Sequence, residues 1–116
     1  MAEYERLQRI VDSQEDSVFL WGARQVGKST LVKTLYPKAK VYDLLMSDEY
    51  GRLMRRPQLL REELEHLGEE SLVIIDEIQK IPQLLDEVHW LIVNRGIRFI
   101  LCGSSARKLK RMGTNL

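Results

Sequence analysis

One cysteine, Cys102, is all that this chain of 116 residues contains. No disulfide can form within a single copy, and a lone thiol inside an apolar run fits a reducing compartment. Also missing is any apolar run long enough to cross a bilayer, and no secretory signal opens the sequence. No membrane association is expected, and the cytoplasm is the expected compartment. There is no net field either: 18 basic residues stand against 17 acidic ones, a formal charge of +1. Nothing global would steer nucleic acid or a membrane surface. Repeats, low-complexity tracts and linkers are absent, and the length suits one domain. His66 and His89 have no second ligand at metal spacing and read as structural. What remains is ordinary globular material, 44% apolar and 30% charged, enough for a core.

The pattern alternates. Residues 3–12 carry Leu7, Ile10 and Val11 at helical spacing, and a turn follows over 12–17. VFLW at 18–21 reads as a buried strand that stops at Gly22. Leu31, Val32 and Leu35 mark a helix that Pro37 ends. KVYDLL at 40–45 is a second strand. Ser47, Asp48 and Glu49 read as a helix start, which Pro57 interrupts while opening another helix that Gly68 closes. SLVIID at 71–76 is apolar without a break, as in a parallel strand buried on both faces. Pro82 starts a further helix, which NRG at 94–96 closes, and IRFILCG at 97–103 is a fourth strand. Strands alternating with helices predict an α/β fold, a parallel sheet with helices on both faces.

Gly22, Gly27, Lys28 and Ser29 match G-x-x-x-x-G-K-[ST], with a strand before and a helix after. Glycines let successive amides turn inward towards phosphate at a helix N-terminus. Gly22, Gln25, Val26, Gly27, Lys28, Ser29 and Thr30 make up the expected phosphate-binding set. Lys28 would bridge the β- and γ-phosphates, and the Ser29 hydroxyl would ligate Mg²⁺. Arg24 lies inside this loop and can face phosphate or solvent.

Asp76 ends the third strand, at the edge where open α/β sheets bind ligands. A carboxylate there can hold the Mg²⁺ shell, and Glu77 beside it can orient and deprotonate an attacking water. On a strand the two would point to opposite sides, unless the chain is already turning. No NKxD signature appears, which argues against GTP, and no cluster of lid arginines appears, as phosphoryl transfer to a small acceptor would need. ATP hydrolysis is the expected reaction.

Gly103, Ser104 and Ser105 follow the fourth strand. A small hydroxyl there can reach a γ-phosphate or the lytic water; a flexible turn is the simpler alternative. Beyond it Arg107, Lys108, Lys110 and Arg111 form a basic tail that can meet an anion, a partner subunit or nucleic acid. A solvated basic helix face is the plainer reading.

The stretches GARQVGKSTL, VYDLL, LREELEHL, LVIIDEIQKIP, LLDEVHWLI and IRFILCGSSARKLKR together resemble prokaryotic AAA-type P-loop ATPases. Members often carry a C-terminal domain of unknown function with nuclease-like character. The likeness begins near Val18. It implies a P-loop NTPase three-layer αβα sandwich with sheet order 5-1-4-3-2, ATP and Mg²⁺ as ligands, Walker A at the glycine loop and Walker B at IIDE. It casts Asp76 as the acid beside Mg²⁺, Glu77 as catalytic base, and Ser104 or Ser105 as the sensor of γ-phosphate. Members continue through a fifth strand, a helical lid and the C-terminal domain. Residues 1–116 are therefore expected to be the N-terminal ATPase core, cut after the fourth strand. Either this piece hydrolyses ATP, or it is an ATP-binding or interaction module without turnover. A homo-oligomer or a partner protein is compatible with both.

Overall fold

The computed structural model describes residues 9, 17–21 and 28–104, of which 28–30 by their backbone. The helix expected over 3–12, the glycine loop at 22–27 and everything from Ser105 onward lie outside the described residues. Four parallel strands form one sheet: β1 (Val18–Trp21), β2 (Lys40–Asp43), β3 (Leu72–Asp76) and β4 (Arg98–Gly103). Their order is β1-β4-β3-β2. This is the four-strand part of the order implied by the resemblance, in an α/β layered fold.

The two central strands are the two with unbroken apolar runs. β3 is paired with both β4 and β2, and β4 with both β3 and β1. Side chains alternate between faces along a strand. On one face Tyr42, Val73, Ile75, Phe99 and Leu101 join Leu53, Leu60, Leu64, Val88 and Leu91. These come from α2 (Ser47–Arg55), α3 (Gln58–Leu64) and α4 (Leu84–Arg95). On the other face Val18, Leu20, Ile74, Ile100 and Cys102 pack with Val32 of α1 (Lys28–Leu35). Helices on both faces give three layers. No helix among the described residues is long and apolar enough to cross a membrane.

Most boundaries fall where the punctuating residues put them. α1 stops just before Pro37, α3 begins right after Pro57, and Gly96 closes α4 in the left-handed region at φ 68°. Gly68 does not close α3. That helix ends at Leu64, and Glu65 remains in right-handed helical conformation. Just past that end, Arg95 Nε donates to the Glu65 carbonyl at 2.6 Å. Ser47 is the first helical residue of α2 rather than its cap, because Met46 holds the cap position.

Candidate functional site

Parallel strands bring all their C-terminal ends to one edge. Trp21 lies beside Gly103, Cys102 beside Asp76, and Asp76 beside Asp43. β1 ends at Trp21 at this edge and α1 begins at Lys28, with residues 22–27 between them in the sequence. That is the strand-then-helix setting such a loop requires. Gly22, Arg24, Gln25, Val26 and Gly27 lie outside the described residues, as do the side chains of Lys28, Ser29 and Thr30. Ser105 and the basic residues from Arg107 to Arg111 lie outside them too.

Asp76 and Glu77 part company. Asp76, only 4% exposed, follows Ile74 on the α1 face. The Lys33 ammonium of α1 lies 3.5 Å from its Oδ2 and 3.9 Å from Oδ2 of Asp43. Glu77 is the one non-glycine residue with positive φ among the described residues, at φ 62° and ψ 47°. Left-handed backbone is disfavoured for such a residue. It ends the strand sharply, so that the 3-10 turn Ile78–Lys80 can put Ile78 and then Ile81 into the core at 0% exposure. The strand is therefore already turning at Glu77.

The turn leaves the Glu77 carboxylate buried, at 4% exposure, inside a triangle of hydrogen bonds. Gln79 Nε2 donates to Glu77 Oε1 at 2.6 Å and to Ser104 Oγ at 3.3 Å. The Ser104 hydroxyl donates to the same Glu77 oxygen at 3.1 Å. Gln79 Oε1 is buried and accepts no hydrogen bond. Gly103 makes room for this: a Cβ there would stand 2.2 Å from the Trp21 ring and 2.5 Å from Gln79 Oε1.

Of the residues expected from the sequence, Glu77 and Ser104 meet directly, while Asp76 lies at the same edge on the other face. Three further polar residues join the edge. Asp43 carried a signal, since it too is an acid at the end of a β-strand. Gln79 carried none, because glutamine normally reads as surface. Lys33 pairs with an acid 43 residues away, beyond any local pattern. His66 and His89 are exposed, and no group of three or more metal-ligating side chains occurs among the described residues. Cys102 is buried in the α1-side core. A groove of about 710 Å³ lies at the opposite end of the sheet, between the starts of β2 and β3, and includes none of these acids.

The edge therefore holds one buried acid paired with a cation and a second held by an amide and a hydroxyl, beside the point where a β-to-α loop enters. Its oxygen-rich donors suit a hard cation better than a soft one. A family model described as an AAA domain matches residues 14–116.

Proposed function

The chain belongs to the AAA-domain family, a family of nucleotide-binding P-loop domains, and we propose that it binds ATP with Mg²⁺ and hydrolyses it to ADP and phosphate. The observation that carries this reading is the buried Glu77 carboxylate, fixed by Gln79 and Ser104 one residue beyond Asp76. A carboxylate held this way at the ligand-binding edge suits a base that orients water.

The roles divide by position. Gly22, Gln25, Val26, Gly27 and Thr30 supply amides to the phosphates, and Lys28 neutralises the β- and γ-oxygens. Ser29 and Asp76 would hold Mg²⁺. A magnesium ion commonly takes only one or two protein carboxylates and completes its shell with phosphates and water. When bound, the ion neutralises charge on the phosphates. Glu77 accepts the proton of the attacking water, and Ser104 or Ser105 bonds the γ-phosphate. Lys33 keeps Asp76 and Asp43 oriented as a pair of acids on the α1 side.

Two measurements test the reading. Calorimetry with Mg-ATP is expected to show binding by the wild type and loss of it in Lys28→Ala. Phosphate release is expected to fall at least about tenfold in Glu77→Gln, with ATP affinity retained. Equal turnover in wild type and Glu77→Gln removes Glu77 from the mechanism. Binding with no release by the wild type makes the chain a nucleotide-binding module, and silence in calorimetry ends the reading.

A further inference from the structure

Gln79 is a buried polar side chain that phosphate binding and metal binding leave unused. Its two ends have unequal fates. The amide nitrogen must face Glu77, because a second oxygen at 2.6 Å from a carboxylate oxygen would be repelled. The amide oxygen is then left against Gly103 and Trp21 with nothing to accept from. An unmet buried acceptor is costly, and an apolar side chain of the same length would avoid it. Against that stands the donor its nitrogen gives to the buried Glu77 carboxylate, which an apolar side chain would remove. The polar end that is satisfied points at the one carboxylate of the edge suited to act on water.

Ser104 sharpens the point. A hydroxyl has a single proton to donate. Here that proton goes to Glu77 Oε1. If it turns to a phosphate oxygen, Glu77 loses that donor, and the Gln79 amide is the bond among the three that need not change.

We infer that Gln79 is a positioning residue for Glu77: its side-chain amide holds the base carboxylate in place through turnover, while the Ser104 hydroxyl turns its hydrogen bond between Glu77 and the γ-phosphate. This rests on the ATPase reading above. It concerns a residue that touches neither nucleotide nor metal and acts only through Glu77.

The test uses Gln79→Met, which keeps the length and removes the amide. At saturating Mg-ATP its phosphate release is expected to fall about tenfold to a hundredfold, the loss usual when a partner that orients a reacting group is removed. KM and calorimetric affinity for a non-hydrolysable ATP analogue are expected to stay at wild-type values. Added to Glu77→Gln, the same substitution is expected to cause no further loss, because a residue acting through Glu77 has nothing left to act on. A full additional loss in the double variant, or a shift in KM with kcat intact, overturns the proposal. A readout free of turnover keeps it distinct from the ATPase reading. By nitrogen-15 NMR the Gln79 side-chain amide protons are expected to exchange slowly with solvent, both in the nucleotide-free chain and with Mg²⁺ and the analogue bound. Fast exchange in either state overturns the positioning role. Equal turnover of wild type and Glu77→Gln would instead overturn the ATPase reading, with the NMR result still deciding whether Gln79 holds Glu77.

Discussion

On one face of the sheet Val73, Ile75, Phe99 and Leu101 meet three helices and the 3-10 turn, whereas on the other Ile74, Ile100 and Cys102 meet α1 and the residues just after it, among the described residues. The functional edge divides along the same line. Asp76 looks to the face that the described residues cover more thinly, where one partner is a lysine that is one-third exposed. Glu77 and Gln79 are buried beside the face covered by α2, α3 and α4. The thick layer can hold a carboxylate still by packing around it. On the proposed function, the α1 side is where a nucleotide and a cation would need room. On that proposal a base needs fixed geometry and a phosphate site needs access, and among the described residues the two faces of the sheet are covered unequally in that sense.

The strongest way to break this comparison is a matched pair on β3. Ile74 and Ile75 are adjacent, chemically identical and both 0% exposed, but they face opposite layers. Truncating a buried isoleucine to alanine costs about 2–5 kcal/mol, and the value depends on how far the surroundings can collapse. Around Ile75 the neighbours are themselves fully buried on several elements, so Ile75→Ala is expected to cost about 4–5 kcal/mol. Around Ile74 the half-buried Leu31, Leu35 and Tyr36 can settle inward. Ile74→Ala is therefore expected to cost about 2–3 kcal/mol. Urea midpoints at unchanged slope give both numbers. Equal costs would mean that the two faces are equally closed.

A second, smaller effect lies where the thick face reaches the edge. Trp21 stacks on Phe19, with ring centroids 5.2 Å apart, and its ring covers Gly103. Gly103→Ala would drive a methyl into that ring and into Gln79 Oε1. Overpacking of this kind costs about 1–3 kcal/mol, and here it also displaces the amide that holds Glu77. In a Trp90→Phe background, Trp21 is the only tryptophan. Its emission is expected to shift on Gly103→Ala, together with a lower melting temperature. Unaltered emission would show that the ring does not rest on Gly103.

The strands and their direction were legible because their cause is local. LVII and FILC are unbroken apolar runs, which only strands covered on both faces require, and proline or glycine marked most helix ends. Legibility ended where the cause lay elsewhere in the chain. Gly68 invited a helix end, but α3 stops earlier, and Arg95 bonds the Glu65 carbonyl just past that end. Asp76 and Glu77 were visible as acids, yet which way Glu77 turns depends on Ile78 and Ile81 entering the core. Gln79 looked like surface in the string DEIQK, since nothing nearby announces that its amide will be buried against Ser104, 25 residues on. The acids of the site were readable as chemistry; the side chains that orient them were readable only as packing.

The smallest expected effect concerns how the thick layer is fastened at its outer edge. Tyr42 of β2 donates its hydroxyl to Glu63 Oε1 at 2.9 Å, and Arg52 of α2 bonds both Glu63 and Glu49. Among the described residues, the α1 face carries the looser Lys33 pairing with Asp43 and Asp76. For Glu63, burial alone would raise the carboxyl pKa, but the hydrogen bonds from Arg52 and Tyr42 and the Arg52 charge outweigh it and hold the group below its ordinary value. Tyr42 is shifted the other way: burial first, then its bond to Glu63, raise the phenol. The signs follow by linkage. Glu63, lowered in the folded state, contributes stability that is fully present above the unfolded value of about 4.3 and is lost as pH falls through the folded value. Tyr42, raised, contributes stability present below about pH 10 and lost as pH rises beyond it. Arg52 and Glu63 are each about one-third exposed, so at neutral pH Glu63→Gln is expected to cost no more than about 1 kcal/mol. Its signature is the pH profile. Melting temperature followed from pH 7 towards pH 3 is expected to fall less steeply in Glu63→Gln than in wild type, while Lys33→Met leaves the Glu63 share of that slope in place. Parallel acid limbs for wild type and Glu63→Gln would show that this cluster does not fasten the thick layer, and the contrast between the faces would then rest on apolar packing alone.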